Sequence, residues 1–157
     1  MRHGQRALLA LSAAAGLGAA PLLGAVPPGG GAPSNPVVTA DVTQLRSAKG
    51  QVLACLTARA DSFPDCASDP LARKLTVPAS APLVLDFGRV PAGRYAISLI
   101  HDENGNGKLD TSVMIPREGY GFSNDAPARM GPPRFAHAAF DVGAADVRLA
   151  IRMRYLL

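Results

Sequence analysis

The sequence concentrates oxygen-bearing side chains in one short run, His101-Asp102-Glu103-Asn104-Gly105-Asn106-Gly107-Lys108-Leu109-Asp110. Asp102, Asn104, Asn106 and Asp110 recur at the spacing by which a single loop wraps a hard cation, and Gly107 stands where such a loop turns sharply. Counted from Asp102 as in an EF-hand, Lys108 would lend its backbone carbonyl at position seven and Asp110 falls at nine. Position twelve is Val113, where a bidentate Glu is expected, and the run follows a β-rich segment rather than a helix. Calcium is the candidate cofactor, held weakly, in the range of roughly 0.1–1 mM of extracellular sites, with Glu103 or Glu118 as further donors. A plain turn competes with it. Asn104-Gly105 and Asn106-Gly107 are both favoured type I′ pairs, and Asx side chains cap such turns without a metal.

His101, Asp102 and His137 make a second chemical possibility. If the strands that carry them pair, two histidines and a carboxylate suit zinc or iron, or a small periplasmic hydrolase. A lone histidine on a strand more often makes structural hydrogen bonds. Ser123 lies in Gly-Phe-Ser-Asn, not in Gly-x-Ser-x-Gly, and no strand-to-helix elbow is expected around it. Asp102, Asp110, Glu118 and Asp125 are loop acids, which solvent or a cation explains as well as a glycosidase pair does. The reading adopted is non-enzymatic, with no catalytic residue assigned.

Cys55 and Cys66 are the only cysteines. In an exported chain such a pair closes as a disulfide, and a loop this short contributes about 3 kcal/mol. Their spacing is not Cys-x-x-Cys, and two sulfurs without a nearby histidine argue against zinc.

Export is read from the amino terminus. Arg2 and Arg6 form a basic n-region, Ala7 to Ala20 is apolar, and Pro21 ends the run. Residues 1–26 are assigned as a signal peptide, 27–36 as a Pro/Gly-rich linker, and 37–157 as one domain in the periplasm or secreted. A membrane anchor is the competing reading, but the stretch is mostly Ala and Gly and only weakly lipophilic. Without Arg2 and Arg6 the count is 14 basic against 12 acidic residues. No dense basic run or aromatic platform occurs, so nucleic acid is not an expected partner. An envelope protein or a small ligand is.

Seven β-rich runs follow the linker: Val37–Leu45, Gln51–Ala58, Leu71–Val77, Leu83–Phe87, Arg94–Ile100, Ala136–Val142 and Val147–Tyr155. Pro, Gly, Asn and Asp punctuate them. In the last, Val147, Leu149, Ile151, Met153 and Tyr155 face a core while Arg148, Arg152 and Arg154 face water. That arginine stripe could meet an anionic surface or simply discourage edge pairing. In the fifth run both faces are apolar, as in a central strand. The expected fold is all-β, a seven-stranded antiparallel β-sandwich with one long loop after the fifth strand. That loop, 103–134, holds Tyr120 and Phe122 and is followed at once by Phe135, together three of eight aromatics. Tyr120, Phe122, Ser123 and Asn124 either pin it to the sheet or line a ligand groove.

Gly93-Arg94-Tyr95-Ala96, the His101–Asp110 run, Ile115-Pro116, Glu118, Gly121-Phe122-Ser123-Asn124 and Gly131-Pro132-Pro133, in that order, resemble the bacterial family catalogued as domain of unknown function 2141. The resemblance covers roughly residues 38–155. It implies an exported β-sandwich domain of transthyretin-like (prealbumin-like) layout and no established activity. The ending Arg154-Tyr155-Leu156-Leu157 departs from the Tyr-Arg-Gly-Ser-type terminus of the hydrolase branch of transthyretin-like proteins.

Overall fold

Alternating apolar residues between turn-forming residues fold here as short strands. The computed structural model describes residues 35–157. The signal peptide assigned to 1–26 and most of the linker lie outside the described residues. The strands are β1 (Val37–Thr43), β2 (Gln51–Thr57), β3 (Arg73–Pro78), β4 (Leu83–Arg89), β5 (Gly93–Asp102), β6 (Thr111–Ser112), β7 (Ile115–Pro116), β8 (Gly119–Phe122), β9 (Phe140–Val142) and β10 (Val147–Arg152). A 3-10 turn, Ser123–Asp125, follows β8, and one helical turn, α1 (Phe135–Ala138), precedes β9.

Three sheets result. One has the order β10-β1-β4, one β3-β2-β5-β8 with β9 also on β5, and the third is the β6–β7 hairpin. Residues of the first two share a hydrophobic core. Val38, Ala40, Leu85 and Ile151 come from one sheet, and Val52, Leu56, Ile97 and Leu99 from the other. Each buried Leu or Ile contributes about 2 kcal/mol.

β5 organises the larger sheet. Ile97, Leu99 and His101 are buried on its core side, while Ala96 joins a second cluster with Tyr120, Phe122, Ala126 and Ala138. β8 and β9 pair antiparallel with successive stretches of β5, Ser98↔Phe122 through His101↔Gly119 and Gly93↔Val142 through Tyr95↔Phe140. Between them the chain makes an excursion over 123–139. Ser123 mends the break, because its hydroxyl accepts the Ile97 N–H at 2.9 Å and donates to the Ala138 carbonyl at 2.5 Å.

The structure corrects several expectations. There are ten strands among the described residues, not seven, and β1 pairs with β10 in parallel rather than antiparallel. A parallel neighbour needs a long return connection, which the rest of the chain supplies. The 103–134 segment is not one loop but carries β6, β7, β8 and the 3-10 turn. Strands of two to four residues, interrupted by Gly119 and Gly121, are too short to show alternation. The run expected as a strand from Ala136 begins instead as α1, so His137 sits on a helical turn. The arginine stripe is paired: Arg148 with Asp41, and both Arg152 and Arg154 with Asp125.

Cys55 and Cys66 are joined, with Cα atoms 6.2 Å apart and 11 residues of separation. The bridge ties loop 58–72 to β2, and Phe63 of that loop packs on Phe122 and Phe135 with ring centroids 5.8 and 6.0 Å apart. A Cys55→Ser/Cys66→Ser chain is expected to lose about 3 kcal/mol of stability. Urea unfolding of the oxidised wild type and the double variant measures it; equal midpoints would refute the assignment.

Candidate functional site

β5 carries Asp102 to the end of the sheet, where its carboxylate has no exposed surface. A buried carboxylate must be hydrogen-bonded, and this one is. Oδ1 accepts the N–H groups of Gly105 (2.8 Å) and Asn106 (3.0 Å), and Oδ2 those of Gly107 (2.7 Å) and the Gln51 amide (2.8 Å). Burial opposes ionisation of Asp102, but these donors outweigh it and hold the carboxyl below its ordinary pKa. Gly105 and Gly107 take φ of +74° and +82°, which lets successive N–H groups turn inward.

The other candidate ligands face one another. The amide groups of Asn104 and Asn106 donate to Asp110 at 2.7 and 3.0 Å, and these bonds hold the Asp110 carboxyl low. Asn104 Oδ1 accepts the Asn106 N–H, and Asn106 Oδ1 accepts the Lys108 N–H. Glu118 accepts the N–H of Glu103 and of Asp110, both at 3.0 Å, and so clamps the two ends of the loop. These oxygens are directed at N–H donors rather than at a common point. No group of three His, Cys, Asp or Glu side chains among the described residues could hold a metal ion. As folded, 102–110 is a turn closed by Asx caps, and the calcium expectation fits it only if Asn104, Asn106 and Asp110 reorient together.

His101 is fully buried beside this loop. Its Nδ1 meets the Tyr155 hydroxyl at 2.7 Å and its Nε2 the Lys49 carbonyl at 2.8 Å. A carbonyl only accepts, so Nε2 carries a proton, and in the neutral ring Nδ1 accepts from Tyr155. Burial raises the Tyr155 pKa and keeps its hydroxyl a donor. Arg46 lies over the Tyr155 ring, 4.5 Å from its centroid, and also grips Glu103 and the carbonyl of Leu157. The Tyr155 ring rests on Gly119, where an added Cβ would come within 2.4 Å of it. His137 is exposed on α1, whose chain enters the sheet opposite Tyr95. Tyr95 is six residues before His101, a rise of about 20 Å. The fold therefore does not bring His137 to His101 and Asp102.

A groove of about 510 Å³ opens on the outer face of the larger sheet. Its floor is Ser98, Ile100, Tyr120 and Phe122; its walls are the β6–β7 hairpin, Pro64, the 128–132 segment and Leu156. Both readings of the aromatic segment meet here, since Tyr120 and Phe122 are packed into the second cluster and also line the groove. Ser123 and Asn124 do not reach it. Ser123 is committed to the backbone, and Asn124, at φ +56°, donates to the Ala139 carbonyl.

The hairpin tip is the feature that sequence reasoning missed. Val113 and Met114 occupy the two turn positions at φ +49° and +65°, the type I′ pattern that Asn-Gly normally fills. A β-branched residue there costs of order 1–3 kcal/mol. Both side chains are almost wholly in water, 92% and 93% exposed, and Met130 across the groove is fully exposed. The available signal was an apolar pair standing where turn chemistry calls for Asn-Gly.

Fold and site define an all-β chain with a disulfide-held loop, an Asx-capped acidic turn and an apolar groove beside it. Over residues 40–150 the chain matches the bacterial family described as uncharacterized protein conserved in bacteria (DUF2141), and it belongs to that family. No curated protein and no solved structure matches it.

A carboxyl whose folded pKa is lowered contributes stability that is present above its unfolded value of about 3.9 and is lost as pH falls through the folded value. Stability is therefore expected to hold from pH 7 to about 5 and to drop below about 4. Asp102→Asn should be less stable at neutral pH and lose less on acidification. Urea unfolding at pH 7 and pH 3 checks this, and an unchanged acid loss in the variant would remove Asp102 from the account. Millimolar calcium is expected to leave the thermal midpoint where magnesium leaves it, because the loop oxygens are engaged. A calcium-specific rise abolished by Asp110→Ala would instead make the loop a cation site.

Proposed function

We propose that this chain is an exported β-sandwich of the transthyretin-like kind, periplasmic or secreted. It acts without catalysis as a binding and interaction module of the bacterial envelope. The observation that carries this reading is the groove, where Val113, Met114 and Met130 hold apolar side chains in water around a floor of Ile100, Tyr120 and Phe122. Exposed apolar surface concentrated at one place, on a hairpin whose backbone is itself costly, is what a docking site requires and what an isolated fold does not. The core shared by the two larger sheets supports the sandwich layout. The basic-apolar amino terminus and the Cys55–Cys66 bridge support export. The enzymatic alternative draws no support from His101, whose ring nitrogens are both engaged inside the fold.

Nile red, an uncharged fluorophore, is expected to bind saturably at one site per chain with a blue-shifted emission. Met114→Glu combined with Met130→Glu, both at exposed positions, should weaken binding at least tenfold and leave the thermal midpoint unchanged. Absence of saturable binding by the wild type would overturn the groove as the docking place.

A further inference from the structure

The groove has a chemical signature beyond being apolar. Its volume lies within the roughly 300–1,000 Å³ usual for small-molecule sites. Most of its lining is apolar, with Leu109, Val113, Met114, Ile115 and Met130 around the floor. The Ser98 hydroxyl donates to the Pro64 carbonyl, and Asp65 accepts the Ala67 N–H. A peptide laid along the floor would bury most of its N–H and C=O groups against apolar side chains. Strand addition onto β8 is obstructed as well. β8 has one edge on β5, and its other edge is bridged at Tyr120 by reciprocal hydrogen bonds with Arg154, at 3.0 and 2.8 Å. A hydrocarbon chain has no such groups to satisfy. Met114 and Met130, unbranched and polarizable, can close over one.

One cation stands in the lining. Arg129 is exposed on the 128–132 wall and takes part in no ion pair among the described residues. A guanidinium at the rim of an apolar cleft complements a carboxylate at the end of an apolar chain.

We infer that the groove binds a single-chain anionic amphiphile of the long-chain fatty acid class, with the acyl chain over Ile100, Tyr120 and Phe122 and the carboxylate at Arg129. The inference rests on the groove being the docking place proposed above. Palmitate and hexadecanol, each below its aggregation threshold, are titrated into the full chain by Nile red displacement and by calorimetry. Palmitate is expected to bind one per chain, about tenfold tighter than hexadecanol, one charge-assisted contact being the difference. Arg129→Gln should erase that preference without moving the thermal midpoint. Across saturated acids from eight to sixteen carbons, affinity should rise by up to about fourfold per methylene until the groove is full, then level off.

Equal affinity for acid and alcohol in the wild type, or affinity independent of chain length, would overturn the amphiphile class. Nile red binding would then still stand for the groove. Binding to phosphatidylglycerol vesicles without binding of monomeric palmitate would overturn the inference in favour of a lipid surface. A dimer dissociated by Met114→Glu would overturn it in favour of a second copy of this chain. Failure of Nile red and palmitate together would sink the proposed function itself.

Discussion

A carboxylate taken out of water at the end of β5 is the constraint from which one end of the molecule follows. An ionised Asp buried without partners costs many kcal/mol, so the chain after Asp102 has to fold its own N–H groups back onto it. Gly105, Asn106 and Gly107 do so, and Gln51 of the neighbouring strand completes the set. The turn is therefore tied to the sheet. Glu118 then joins the loop's two ends through the N–H groups of Glu103 and Asp110. With both ends fixed, the chain leaving Asp110 is sent into β6 and returns through β7 to reach β8. The apolar tip at Val113 and Met114 stands beside the sheet for that reason.

The same end is reinforced from within the core. His101, Tyr155 and Arg46 connect the end of β5, the turn after β1 and the last residues of the chain. Gly50 belongs to this joint; at φ +68° an added Cβ would lie 2.1 Å from the Asp102 carbonyl. Such close approaches leave little freedom. The two ring nitrogens of His101 are spent on holding two chain segments together.

β5 is apolar on both faces, and its outer face has to be covered. The 123–139 excursion and the disulfide-held 58–72 loop cover the part around Ala96 and Phe122, where Phe63 packs tilted on Phe122 and edge to face on Phe135. The cover stops at Pro64 and Ala128, and the hairpin rises on the far side. What lies between is the groove, and its apolar character is that of a sheet face the fold has left open.

The strand pattern was legible in the residues because alternation and turn chemistry are local. β1, β2, β4, β5 and β10 fall within a few residues of where the runs predicted them, and the family was legible in an ordered string of motifs. Cys55 and Cys66 could be paired because they lie in one short segment. The 101–110 run could be recognised as a loop rich in Asx and Gly, but local spacing is the same for a cation cage and for a capped turn. Which way each oxygen points depends on Gln51 and Glu118, which arrive from elsewhere in the chain. His137 looked like a strand residue, yet one helical turn packed against Ser123 claimed it. The groove was out of reach, since its floor and walls come from six separated segments and no spacing encodes their meeting. Local free energies set where strands and turns form along this chain. Register, burial and long-range hydrogen bonding decided which polar groups were consumed by the fold and which apolar ones were left in water.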